Sequence, residues 1–171
     1  MLSNKLEINA GRVAPGLCFM RQKLSLKARA LRYLSGREYS RPELYKKLAP
    51  FAESEDELDS VLAWLQNCGY LSDQRFAESL VHRMQNRYGN QRILYELNQH
   101  NLDLDLLAEC RVTLAESESD RAWQLLQRKF AQQSITPELK SKMYRFLAQR
   151  GFSGNLVQRA IKSWIAENQS E

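Results

Sequence analysis

Apolar residues recur along this chain three and four positions apart, and small, polar or proline-containing segments separate the stripes. Leu26, Ala30, Leu31 and Leu34 form one stripe, and Phe76, Ala77, Leu80, Val81 and Met84 form another. The segment 155–166, with Leu156, Val157, Ile161, Trp164 and Ile165, carries the last. A period of 3.6 residues predicts amphipathic helices throughout, about nine of them, with no convincing strand. The breaks between stripes have the chemistry of helix ends. Ser40-x-x-Glu43 and Ser54-x-x-Glu57 have capping-box spacing, and Pro42 and Pro137 fall in first turns. Ser72 or Asp73 is placed to cap the helix after Gly69, and Asn90 the one after Gly89. Gly69-Tyr70 and Gly151-Phe152 suit the left-handed conformation that closes a helix.

The pattern repeats. Ala28-x-x-Leu31, Ala77-x-x-Leu80 and Ala122-x-x-Leu125 open three units, 49 and 45 residues apart. Tyr45-x-x-Leu48, Leu94-x-x-Leu97 and Tyr144-x-x-Leu147 recur later in each unit, 49 and 50 residues apart. A period of about 50 residues with helical patterning predicts an all-α fold of tandem three-helix repeats. The expected units are 26–71, 72–117 and 118–167, the third opening near Ser119-Asp120. Residues 1–25 are expected to be a disordered or loosely ordered extension, with Met20 as the expected native start because the patterned sequence begins just after it.

Composition narrows the class. No run of 18 apolar residues exists, so no membrane span is expected, and the first twenty residues lack secretory-signal organisation. Cys18, Cys68 and Cys110 are odd in number and widely spaced, which predicts free thiols in a reducing cytoplasm. Charge comes in blocks. Residues 1–50 hold 11 basic and 3 acidic side chains, 51–80 hold 1 and 7, 101–120 hold 1 and 6, and 121–171 hold 9 and 3. Alternating blocks suit two partners, a polyanion and a protein of mixed surface charge.

No catalytic or cofactor chemistry stands out. His82 and His100 are the two histidines, without HExxH or cysteine-pair spacing, so no metal site is expected. The sequence has neither GxxxxGKS/T nor GxGxxG, so no nucleotide cofactor is expected. The acidic run Glu53–Asp59 is explained by a helix N-terminus, where carboxylates oppose the dipole. What remains is binding chemistry. Arg83 and Arg87 lie four apart on one flank of a stripe, Arg75 opens the same unit, and Arg92 enters the helix after Gly89. Asn90 and Gln91 would place amides and free N–H groups at that helix N-terminus, a favourable place for phosphate. Unit one adds Arg29, Arg32, Arg37, Arg41, Lys46 and Lys47, interleaved with Tyr33, Tyr39 and Tyr45. Such a set can follow a nucleic-acid backbone.

The segments Ala28–Leu48, Gly69-Tyr-Leu-Ser-Asp-Gln-Arg-Phe-Ala77 and Arg87-Tyr-Gly-Asn-Gln-Arg-Ile93 resemble the bacterial RecX family of regulatory proteins, across about residues 26–165. Where that family usually carries Lys-Gly-Ile, this chain has His100-Asn101-Leu102, and Asn can also take the left-handed cap. The resemblance implies three tandem three-helix repeats in an elongated, curved array. It implies a non-enzymatic modulator of the RecA recombinase that binds RecA and the RecA–single-stranded DNA filament; single- and double-stranded DNA are expected partners too, and nothing in the sequence demands more than a cytoplasmic monomer. Such a protein would inhibit RecA ATPase, strand exchange and co-protease activity, and so act on recombination, repair and the SOS response. Two alternatives stand beside it: a helix-turn-helix-like transcription factor, which short helices around Gly-containing turns permit, and a helical-repeat adaptor without nucleic acid, whose 34-residue tetratricopeptide pattern the period does not fit.

Overall fold

Three short helices, two more, one long helix and a closing pair make up the described residues. The computed structural model describes residues 24–168, and Met20 and all but the last two residues of the expected N-terminal extension lie outside them. Helices α1 (Leu26–Leu34), α2 (Arg41–Leu48) and α3 (Glu55–Asn67) form unit one, with a 3-10 turn at Ala49–Phe51. They are followed by α4 (Asp73–Gln85), α5 (Asn90–Asn98), α6 (Leu104–Phe130), α7 (Pro137–Ala148) and α8 (Gly154–Asn168). No strand occurs among the described residues.

Most helix starts follow local capping. Ser25, Ser40, Ser54, Ser72 and Thr136 each accept a hydrogen bond from the backbone N–H three residues on. The box at Ser40 is half closed, because Glu43 turns to Arg37 at 3.0 Å instead of reaching back. Gly69 and Gly151 have φ of 72° and 81°, and Asn101 has φ of 53°. Tyr70 packs back on α3, its ring 5.8 Å from that of Trp64.

Each set of three stripes closes its own core. Leu44, Leu48, Leu58, Leu62 and Leu65 are at the centre of the first. Phe76, Ala77, Leu80, Ile93, Leu97, Leu102 and Leu114 make the second, and Leu126, Phe130, Met143, Leu147, Val157 and Trp164 anchor the third. Leu104, at the first turn of α6, is exposed.

Helix count needs correction. The pattern predicts about nine helices, with a new one opening near Ser119, but eight α-helices occur among the described residues. The third helix of unit two and the first of unit three are one helix of 27 residues, α6. No Gly or Pro interrupts 104–130, so Ser119 has the chemistry of a cap without a break to cap. The buried face passes from Leu114 in the second core to Ala122, Leu125, Leu126 and Phe130 in the third. Packing on both sides carries the helix through.

The two joints between units therefore differ. Units two and three share a helix and a backbone contact between their turns. Gly89 N–H donates to the Arg150 carbonyl at 2.8 Å, and Gln91 N–H to that of Gly151 at 3.2 Å. Units one and two meet through the Gly69–Ser72 turn and polar side chains, chiefly Ser40 Oγ with His100 Nδ1 at 2.9 Å. The His100 ring in turn lies 4.6 Å from that of Phe76.

Candidate nucleic-acid interface

The ten candidate cations fall into different environments. Arg37 pairs with Glu43 and lies 3.7 Å over Tyr39. Arg41 spans α2 and α3, donating to Asp59 at 2.9 Å and Gln66 at 2.6 Å. Arg75 donates to Glu38 at 2.8 Å and, through Nη2, to the Gly69 and Tyr70 carbonyls. These three hold helices together, and their charge is largely spent on protein partners. Arg29 covers Phe51 at 3.7 Å, with its Nε buried. Arg32, Lys46 and Lys47 are exposed on unit one, Lys47 lying 5.4 Å from the Tyr33 ring. Arg83 is exposed beside the Ser79 carbonyl, and Arg92 lies 5.9 Å from the Tyr95 ring. Arg87 alone of the ten lines the cleft between units two and three.

The expected phosphate site at the start of α5 is overturned. Gly89 is the N-cap, and Asn90 is the first helical residue. The N–H groups of 89 and 91 go to the α7–α8 turn, and that of Asn90 donates to Glu118 Oε1 at 2.8 Å. The donors that would greet a phosphate already have acceptors. Asn90 Oδ1 accepts from Arg121 Nη2.

Arg121 is the residue that sequence reasoning missed. It is 7% exposed, and its guanidinium also donates to the carbonyls of Gln85, Tyr88 and Leu114 and to Ser117 Oγ. Burial lowers its pKa from the ordinary arginine value, and Glu118 opposes that shift. The side chain closes the end of α4 and the start of α5 at once, placing positive charge on C-terminal carbonyls. A signal was present: Leu114, Arg121 and Leu125 follow helical spacing, so the arginine lies in an apolar stripe.

A second omission is larger. The cleft is lined by Arg87, Arg128, Lys129 and Arg150, and it continues along α7 past Lys142 and Arg145. Five of these six cations come from the basic block after residue 120, counted in the charge pattern but not singled out. No carboxylate lines either part. Such a surface attracts polyanions. Among the described residues no group of three or more metal-ligating side chains converges, and no helix is long and apolar enough to cross a membrane.

Comparison with known proteins agrees with this architecture. Residues 72–110 match the second three-helix domain of RecX, and residues 116–161 match the third. The chain is 48% identical over 149 residues to the regulatory protein RecX of Herbaspirillum seropedicae, covering 86% of this chain and 97% of that one. It is 46% identical over 141 residues to RecX of Herminiimonas arsenicoxydans, covering 82% and 93%. The crystal structure of RecX from Lactobacillus salivarius superposes with a TM-score of 0.68 at 22% identity, over 82% of this chain and 95% of that chain, which shows a shared fold. With three-helix units in tandem, the second and third domains matched and near full-length relatives up to 48% identical, the chain belongs to the RecX family of regulatory proteins.

Proposed function

We propose that the chain is a non-enzymatic, monomeric, cytoplasmic regulator that binds RecA and the RecA–DNA filament. In this reading it inhibits the filament's ATPase, strand-exchange and co-protease activities and so modulates recombination, repair and the SOS response. Membership of the RecX family is the observation that carries the proposal. The charge layout supports it: acidic blocks at 53–59 and 103–120 suit basic protein surface, and the cationic cleft suits DNA or acidic protein. Three units in tandem also provide a long contact surface for a polymer.

The transcription-factor alternative finds no recognition helix in α5. A recognition helix reads bases with its N-terminal residues. In α5 that end packs against 150–152, where backbone hydrogen bonds hold it. The test is ATP hydrolysis by preformed RecA filaments on single-stranded DNA, titrated with this protein. Inhibition well below one copy per RecA is the expected result. Unchanged hydrolysis up to equimolar protein would overturn the regulator reading.

A further inference from the structure

We propose that the cleft between units two and three is a subsite for a single nucleic-acid strand, gripped by its phosphates and not read by its bases. The proposal rests on the regulator reading only for its cellular setting. Its physical basis is the convergence of six cations from distant parts of the chain. Arg87 follows α4, Arg128 and Lys129 end α6, Lys142 and Arg145 lie on α7, and Arg150 follows it.

Among the described residues, none of these cations is held in an ion pair with a carboxylate, although Glu138, one turn before Lys142 on α7, lies within its electrostatic reach. The ion pairs among the described residues join Arg37, Arg41 and Arg75 to carboxylates, and none involves the cleft. Neutral acceptors place the cleft cations instead. Arg128 Nη2 donates to the Asn86 carbonyl at 3.2 Å, tying α6 to the end of α4. Arg150 Nη1 donates to the Phe146 carbonyl at 2.9 Å, with its guanidinium 3.7 Å over the Phe146 ring. Lys129 Nζ lies 4.3 Å from the same ring. Part of the ordering cost of binding is thus already met, while no ion pair neutralises the positive charge. Helix-dipole stabilisation accounts for Arg128 and Lys129 in the last turn of α6. It accounts equally for Arg145 in the last turn of α7, but not for the gathering of these ends on one cleft with Arg87, Lys142 and Arg150.

Shape and aromatic placement choose the ligand. The two parts of the cleft, about 660 and 430 Å³, share Lys129, Phe146 and Arg150. Those are small-ligand dimensions, which admit a strand while a duplex rests on the rim. Phe146 has cations against it and Phe130 at its edge, 5.5 Å between centroids, so it is not a free platform for base stacking. Guanidinium and ammonium groups then meet phosphate, and the strand's bases face outward.

Fluorescence anisotropy with labelled oligo-dT, a mixed-sequence strand and a duplex tests this. In Arg87→Ala/Arg128→Ala/Lys142→Ala, all at exposed positions, strand affinity should fall about tenfold or more at moderate salt. The slope of log affinity against log salt should become shallower by about 2, since each lost single-strand phosphate contact removes roughly 0.7. The mixed strand should behave like oligo-dT, and Lys142→Glu alone should shift affinity in the same direction. Arg111→Ala/Arg159→Ala, exposed and outside the cleft lining, should leave the curves unchanged. Oligo-dT binding with the original affinity and slope in the triple variant would overturn the subsite. So would a loss confined to the duplex, or one confined to a polyglutamate competitor, which would identify an acidic protein as the occupant. RecA hydrolysis measured alongside separates the two claims, because strand binding without inhibition rejects the regulator reading and leaves the subsite standing.

Discussion

Gly89→Ala adds one methyl group where two turns meet backbone to backbone. Gly89 has φ of −79°, which alanine adopts freely, so conformation contributes no strain. Space is the obstacle. A Cβ there would stand 2.5 Å from the Gly151 carbonyl oxygen, 2.5 Å from Phe152 N and 2.6 Å from the Gly151 carbonyl carbon. None of these is the end of a flexible side chain, so the α4–α5 and α7–α8 turns must separate. Separation lengthens two inter-turn hydrogen bonds, now 2.8 and 3.2 Å. Each is worth about 0.5–1.5 kcal/mol net, and overpacking adds about 1–3 kcal/mol. The less flexible unfolded chain of alanine offsets about 0.4–1 kcal/mol. The expected loss is about 2–4 kcal/mol.

Urea unfolding followed by tryptophan fluorescence measures it, because Trp123 and Trp164 report on unit three and Trp64 on unit one. Gly69→Ala is the matched control: φ is 72° and nothing lies within 4 Å of the added Cβ, so its cost of about 1–2 kcal/mol is conformational. Gly36→Ala meets only an ordinary contact at 3.5 Å and should be near neutral. An unchanged midpoint for Gly89→Ala, or a smaller loss than at Gly69, would refute the close-approach reasoning.

Arg121→Met should cost about 3–5 kcal/mol, because it leaves the carbonyls of Gln85, Tyr88 and Leu114 without this donor in a buried site. Differential scanning calorimetry checks it, and a melting temperature within a degree or so of the parent would show that water replaces the guanidinium. Burial, aided by Glu109 and Glu78, pushes the Cys110 thiol up from its ordinary value. Since the thiolate is the nucleophile, iodoacetamide should modify Cys110 slowly at neutral pH, with a rate that rises into the alkaline range. Peptide mass spectrometry after timed labelling reads this, and Cys110 reacting as fast as the exposed Cys68 at neutral pH would contradict it.

Helix ends and core stripes were legible in the sequence because their causes are local. Ser54 caps Glu57 three residues on, Gly69 ends the helix before it, and Phe76, Ala77 and Leu80 share a face at helical spacing. Asn101 replaces glycine in the left-handed cap, as its side chain permits. The fate of each charge was not legible. Arg41, Arg75 and Arg87 look alike in the sequence, yet Arg41 meets Asp59, Arg75 meets Glu38 across a unit boundary, and Arg87 lines an acid-free cleft.

The start of α5 shows the same division. Glycine followed by two amides reads as an open helix N-terminus, and residues some sixty positions later, Arg150 and Gly151, supply the acceptors that close it. The continuity of α6 through Ser119 depends on two cores packing against one helix. Periodicity, capping and turn chemistry therefore determined the helices and their repetition, since each acts within a few residues. Only tertiary structure decided which cations are neutralised, which turns touch and where positive charge gathers, because those depend on groups that folding brings together from far along the chain.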